Sequence, residues 1–514
     1  MKYLLIILLS LIISSGITSC DPLFFRGRPF NKHGMIGSPV SQLDLSLRHA
    51  VQPSEQWYDQ KLNHFDPVDT RTWKQRYYVS DTFYKRGGPV FLQLGGEGTA
   101  DPIWLVEGQI ATNYAKKFNA LSVLLEHRYY GKSWPTPDMS VDNLRYLTSQ
   151  QSLQDSASFV EYLTEKLSLN GSKWIVFGGS YSGSLAAWMR AKYPHLVDGA
   201  IASSAPIQAV VNFKEYLGVV SKSLGDKCDE AIREATNQLA EELKRPMGWR
   251  TIEKQFKLCD TLNGTVVNDV YNLMQTLASN VEGVVQYNKD NRDFEGARAT
   301  NITIDVICDT MTDISNPITL DKYIKVNDII LEAYDQKCLD FKYNKFIKQM
   351  QSIDWKSSAA EGGRQWTYQT CVEFGFYQSS DLKTQPFGPY FPIDFFTQQC
   401  TDIFGDKYNL DLIEKSVDFT NNFYGGFGLK VRKVLFPNGS IDPWHALGVT
   451  TDLNPEAKAL MINGTAHCAD MYPNSDNDTI ELTNARKIIV NTLHQFLNNH
   501  NYNNYYEVTN QIIF

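Results

Sequence analysis

The feature that most restricts the fold is residues 174–194, WIVFGGSYSGSLAAWMRAKYP. Its opening run, Trp174-Ile175-Val176-Phe177, is bulky and apolar, as expected of a strand buried on both faces in a parallel sheet. Gly178-Gly179-Ser180-Tyr181-Ser182-Gly183 then turns the chain, and residues 184–193, Ala-rich and closed by Pro194, have helical character. Strand, small-residue turn and helix form the setting of a nucleophile elbow. There a serine is held in a strained turn at a helix N-terminus, with its hydroxyl raised above the sheet. The usual spacing is G-x-S-x-G, whereas here Ser182 takes the last place and Gly183 follows it. A nucleotide-binding turn is the competing reading, but neither G-x-G-x-x-G nor a Walker lysine is present. Ser180 is the candidate nucleophile.

Strands of the same kind recur on both sides. Residues 57–84 alternate aromatic and polar side chains, which fits antiparallel strands. Residues 88–94 predict a buried strand ending in Gly95-Gly96-Glu97-Gly98, followed by a helix over 103–118. A strand over 120–125 leads into Glu126-His127-Arg128, a helix over 151–167 follows, and a strand over 197–202 ends at Ser203-Ser204-Ala205-Pro206. Alternating strands and helices predict a doubly wound, mostly parallel sheet. From about 211 to 425 the pattern turns mainly helical, and strands return at 433–436 and 457–462 before a helix over 480–497. The expected organisation is a sheet domain of residues 57–210 and 426–500 interrupted by a helical cap over 211–425. A signal peptide over 1–19, a leader over 20–56 and a tail over 501–514 complete it.

In an open parallel sheet, functional groups gather beyond the carboxyl ends of strands. Ser180, Asp442 and His467 all stand just past such ends, in the chain order of the α/β-hydrolase triad. A serine hydroxyl needs an imidazole to take its proton, and the imidazole needs a carboxylate to fix its tautomer. Candidate oxyanion donors are the Tyr181 N–H and a backbone N–H of the 95–98 turn, at Glu97. His445 lies too near Asp442 in sequence to come from the final loop, and His127 follows an earlier strand, so His467 is the candidate base. Glu126, His127 and Arg128 read as buried, paired supports, and Ser203 and Ser204 as strand-end packing.

Composition narrows the setting. A net charge of −8 in 514 residues argues against nucleic acid as a partner. Lys2 followed by an apolar run over 4–13 and small residues over 14–19 reads as a secretory signal, too short to span a bilayer. Residues 17–20 also resemble a lipoprotein processing site. Six Asn-x-Ser/Thr acceptors, at Asn170, Asn263, Asn301, Asn438, Asn463 and Asn477, favour a glycoprotein, with Asn438 and Asn463 disfavoured by their closeness to the proposed site. Of eight cysteines, Cys228, Cys259, Cys308, Cys338, Cys371 and Cys400 crowd into the cap region, Cys20 lies at the signal boundary and Cys468 stands alone. That suits disulfides inside the cap, with the pairing left open, and no C-x-x-C pair suggests a zinc site.

Together the motifs Gln60 to Phe65, Gln75-Arg76-Tyr77, Glu126 to Ser133, Gly178 to Tyr181, Leu185 to Trp188, Ala202 to Pro206, Asn438 to Trp444 and Gly464 to Asp470 resemble the S28 family of serine peptidases. That family contains lysosomal Pro-Xaa carboxypeptidase, dipeptidyl peptidase II and thymus-specific serine protease. Ser182 in the elbow and a single His467 followed by Cys468 are most similar to the thymus-specific branch. The resemblance implies an α/β-hydrolase domain with a helical cap, a Ser180–Asp442–His467 triad, and bridges Cys228–Cys308, Cys259–Cys338 and Cys371–Cys400 with Cys468 free. It also implies exopeptidase action on short peptides, commonly after proline, in a secreted or lysosomal setting. No cofactor and no stable membrane anchor are expected, and a homodimer is a further expectation. A serine esterase or lipase, and a silent binding protein on the same fold, are the competing readings.

Overall fold

The structure, a computed structural model, describes residues 23–25, 28–30, 52–289 and 302–498. The signal segment, most of the leader, Asn301 and the 501–514 tail lie outside the described residues. Eight strands form the main sheet: β1 (Gln56–Lys61), β2 (Thr72–Ser80), β3 (Val90–Leu94), β4 (Leu121–Leu125), β5 (Trp174–Gly179), β6 (Gly199–Ser203), β7 (Val434–Gly439) and β8 (Ala457–Ile462). Their order across the sheet is β8-β7-β6-β5-β3-β4-β2-β1. The six strands from β8 to β4 run parallel, and β2 and β1 close one side antiparallel. The protein therefore has an α/β-hydrolase sheet, with β5 near its centre.

Five helices matter most to the site: α1 (Ser149–Lys166), α2 (Tyr181–Lys192), α3 (Val267–Gln286), α4 (Leu410–Tyr424) and α5 (Ile480–Asn498). Every residue of β5 is buried, and successive side chains enter different cores because strand side chains alternate between faces. Trp174 and Val176 pack with Ala157 and Val160 of α1 and with Leu185 and Met189 of α2. Ile175 and Phe177 pack with Ile489, Leu493 and Phe496 of α5. Apolar residues at both parities of β5 thus require helices on both faces. In β1 the burial alternates instead, which places it at the sheet edge with one face toward water.

The insertion between β6 and β7 is mainly helical. It comprises the helices Glu215–Leu224, Asp226–Leu243, Pro246–Gln255, α3, Ile304–Met311, Thr319–Ala333, Tyr343–Met350, Gly363–Gln369, Ile393–Phe404 and α4. A short parallel pair, Val210–Asn212 with Gly375–Tyr377, joins the start of the insertion to its later part. The disulfides Cys228–Cys308, Cys259–Cys338 and Cys371–Cys400 all lie within it, and Cys468 is free and buried.

One local expectation is corrected. The helix expected over 103–118 is divided into a 3-10 turn Pro102–Leu105, a π-helical segment Ile110–Ala115 and a last turn Lys116–Phe118. Gly108 sits in the break with its backbone against Trp104, where a Cβ would lie 2.5 Å from the Trp104 carbonyl oxygen. Within the expected leader, Leu23–Phe25 pairs antiparallel with Arg28–Phe30. Among the described residues no helix is long and apolar enough to cross a membrane.

Candidate active site

Ser180 stands between β5 and α2 with φ 59° and ψ −131°, a conformation a non-glycine residue adopts only when its surroundings hold it there. Its N–H donates to Ser203 O on β6 at 2.9 Å, and its carbonyl accepts from Ser184 N at 3.1 Å. Tight backbone packing supplies the rest of the constraint. A Cβ on Gly178 would lie 2.0 Å from Ser182 O, and one on Gly183 would lie 2.7 Å from Ser203 O.

The departure from G-x-S-x-G has a physical account here. Ser182 Oγ donates to Gly179 O at 2.8 Å and accepts from Gly179 N at 3.1 Å, so its side chain staples the turn shut. The glycine needed for the close approach of β6 is Gly183. The 95–98 turn after β3 faces the elbow, since a Cβ on Gly96 would lie 3.5 Å from Ser182 Cβ. Tyr181 opens α2, where N–H groups have no intrahelical partner and the helix dipole favours negative charge.

Asp442 and His467 come together from separate loops. Asp442 follows β7, and its Oδ1 accepts from Trp444 N at 3.0 Å. Its Oδ2 accepts from His467 Nδ1 at 2.9 Å, which fixes the imidazole with Nδ1 protonated. The two loops are also laced by backbone, with Ser440 N to Ile462 O at 3.1 Å and Ile441 N to Thr465 O at 3.0 Å. Ser180, Asp442 and His467 expose 3%, 0% and 2% of their surface, so the group is closed off from bulk water. Burial disfavours a charged imidazole, but the Asp442 carboxylate beside it prevails and holds the His467 pKa well above the ordinary histidine value. Among the described residues His467 Nε2 is buried without a hydrogen-bond partner, so it is the ring nitrogen not committed to Asp442.

The histidine loop is pinned to the end of β6. Cys468 N donates to Ser204 Oγ at 2.9 Å, and Ser203 Oγ donates to Asp470 Oδ2 at 2.6 Å. Burial raises the pKa of both the Cys468 thiol and the Asp470 carboxyl. Ser203 and Ser204 thus hold the loop that carries His467, a role that strand-end position alone does not reveal.

Both ring nitrogens of His127 are engaged. Nδ1 donates to Arg128 O at 2.7 Å, and Nε2 accepts from Tyr181 Oη at 3.1 Å. Burial lowers its pKa to about 4, so the ring is neutral. His445 Nδ1 donates to Gly439 O at 3.2 Å. Glu126 accepts from Ser133 Oγ at 2.7 Å, Ala100 N at 2.9 Å, Lys132 N at 3.0 Å and the Arg76 guanidinium. Arg128 grips Asp155 with two bonds of 2.6 Å and donates to the carbonyls of Leu62 and Tyr146. All three residues of this motif are buried and partnered.

One further buried group has no signal in the motif. Glu373, in the π-helical turn Thr370–Phe374, accepts from Ser149 N and Oγ at the start of α1 and from Gln369 Nε2. Burial raises its pKa to about 7 despite those bonds. Gln369 Nε2 also donates to Tyr181 Oη at 3.0 Å, so this cap turn reaches the residue after the candidate nucleophile. Asn438 is unsuited to carry a glycan, because its buried amide donates to Phe436 O and Val449 O. Asn170, Asn263, Asn463 and Asn477 are exposed. Among the described residues no group of three or more His, Cys, Asp or Glu is placed to hold a metal ion.

Comparison with known proteins adds what geometry alone does not. The family model described as Serine carboxypeptidase S28 matches residues 60–489. A Caenorhabditis elegans protein named as a serine protease is 39% identical, over 97% of this chain and 99% of its own. The thymus-specific serine protease of Mus musculus is 35% identical, over 87% of this chain and 88% of its own. The lysosomal Pro-X carboxypeptidase of Bos taurus is 28% identical, over 89% and 90%. With one family model spanning the sheet, the insertion and both candidate loops, the chain belongs to the serine carboxypeptidase S28 family of serine peptidases.

Proposed function

We propose that the chain hydrolyses short peptides through Ser180 as nucleophile, His467 as general base and then acid, and Asp442 as the carboxylate that orients it. The observation carrying this reading is the buried Asp442–His467 bond, which leaves Nε2 as the open nitrogen. In the first half-reaction Nε2 takes the Ser180 proton as Oγ adds to the scissile carbonyl. The imidazolium then gives that proton to the leaving amine, and an acyl-enzyme remains. Water, deprotonated by the same nitrogen, releases the acid product. The oxyanion would rest on Tyr181 N–H and a backbone N–H of the 95–98 turn at Glu97. Exopeptidase action, with a preference for cutting after proline, and a secreted or lysosomal destination fit the relatives named Pro-X carboxypeptidase and lysosomal.

The test is labelling of the folded protein with a fluorophosphonate, with the modified residue located by mass spectrometry. Labelling at Ser180 that disappears in His467→Ala is expected, followed by faster hydrolysis of proline-containing peptides than of simple esters. A folded protein left unlabelled both near neutral pH and at clearly alkaline pH, where the raised His467 imidazole has lost its proton, would count for the silent binding protein. Faster hydrolysis of simple esters would count for an esterase.

A further inference from the structure

The cap meets the acid–base pair through Gln286, the last residue of α3, which is wholly buried. Its main-chain oxygen accepts from His467 N at 3.0 Å. Its side-chain Oε1 accepts from Trp444 Nε1 at 3.1 Å and from Tyr216 Oη at 2.7 Å. Trp444 stands two residues beyond Asp442, and its N–H already donates to the Asp442 carboxylate. The acid loop and the base loop follow different strands, yet both are fastened to the same cap residue, one through its side chain and the other through its backbone.

The surroundings reinforce that fastening. The Trp444 indole lies against Phe213 at 5.3 Å, Tyr216 at 6.1 Å and Phe376 at 5.3 Å between ring centres. Tyr287, next after Gln286, meets the His467 ring edge-on at 5.9 Å. The three catalytic candidates are almost fully buried, and a shift of the cap is one way to open them to a peptide. A shift of α3 breaks the bonds to His467 N and Trp444 Nε1 together, since one residue supplies both acceptors.

We infer that Gln286 is a positioning residue that couples seating of the cap to the alignment of His467 against Asp442. With the cap seated, its carbonyl sets the height of the base loop and its side chain sets the acid loop. With the cap displaced, both loops lose that reference. The inference rests on the proposed roles of Ser180, Asp442 and His467, and adds that base alignment is completed by a residue outside the sheet domain.

The experiment compares wild type, Gln286→Met, Trp444→Phe and the double variant of the full chain. Gln286→Met keeps length and main chain but removes Oε1, while Trp444→Phe keeps an aromatic ring but removes the indole N–H. The readouts are the rate of fluorophosphonate labelling at Ser180, kcat and KM on a short peptide, the pH position of the rising limb, and Tm. Each single variant is expected to label and turn over about tenfold more slowly with KM held within about twofold, as loss of alignment rather than of binding requires. The rising limb should move to lower pH as His467 loosens from Asp442, and the double variant should be no slower than either single one. A folded Gln286→Met with wild-type rate and pH limb overturns the inference, as do penalties that multiply in the double variant. If Gln286→Met fails to fold, Trp444→Phe decides on the same readouts. A wild-type protein never labelled overturns the proposed function and this inference with it, whereas a labelled wild type with an unaffected Gln286→Met overturns this inference alone.

Discussion

At the scale of single residues, the elbow and its partners make sharp predictions. Ser182 staples Gly179 through its hydroxyl, while Gly183 leaves no room for a side chain beside Ser203 O. Ser182→Gly removes both bonds of that hydroxyl to Gly179 and should therefore cost about 1–2 kcal/mol, with activity largely retained. Gly183→Ala should cost more, about 1–3 kcal/mol by overpacking, and should slow turnover by displacing Ser180. Urea unfolding and peptide kinetics would check this order, and a reversed order would show that the elbow is closed differently. His467 must be neutral to accept a proton, and Asp442 holds its pKa above the ordinary value. Activity in the proposed mechanism should thus climb with rising pH through a limb above about 6.5, measured as kcat/KM, and a limb below that value would contradict the pairing.

Glu373 gives the opposite kind of pH effect, on stability. Its carboxyl binds a proton more tightly folded than unfolded, with the folded value near 7. Its contribution is fully present below the unfolded value and is lost as pH rises through the folded one, by up to about 3 kcal/mol. Glu373→Gln should flatten that decline, so its Tm advantage over wild type should grow from pH 5 to pH 8. Parallel Tm curves for the two proteins would refute the assignment. This residue was not legible in the sequence, because its main partner, Ser149, lies 224 residues away in the chain.

At the scale of elements, the strands were the most legible part. Continuous apolar runs such as 174–177 and 120–125 have one stable use in a chain with alternating helices, the interior of a parallel sheet. The segment 103–118 was misjudged because apolar spacing reports burial, and burial there is met by short 3-10 and π-helical pieces around Gly108. The placement of Asp442 and His467 beyond β7 and β8 could be read from strand ends, but Gln286 and Glu373 could not, since helical spacing says nothing about which neighbour a polar end residue meets. Within the cap, Cys259–Cys338 closes 79 residues. Replacing both cysteines by serine should lower stability by about 4 kcal/mol on the chain-entropy account, as judged from urea midpoints. An unchanged midpoint would mean that the helices alone define that half of the cap.

At the scale of the whole molecule, the catalytic candidates are almost fully buried, and the helical insertion touches the His467 loop through Gln286. Under the proposed function, size selection would follow from that insertion rather than from any single side chain. A susceptible peptide should be cut when free and spared when its termini are joined into a rigid loop of a folded carrier, as mass spectrometry of the two digests would show. Equal cleavage of both would mean that the cap does not restrict entry. The pairing of β7 with β6 spans the entire insertion, since Val434 aligns with Ala200. Translation runs from the amino end, so the ribosome delivers the serine and its strand first, the lid next, and the acid and base last. Under the proposed mechanism, a nascent chain would carry Ser180 without Asp442 and His467 until its final strands emerge, so this order of synthesis would keep a half-made chain inactive without any separate inhibitor.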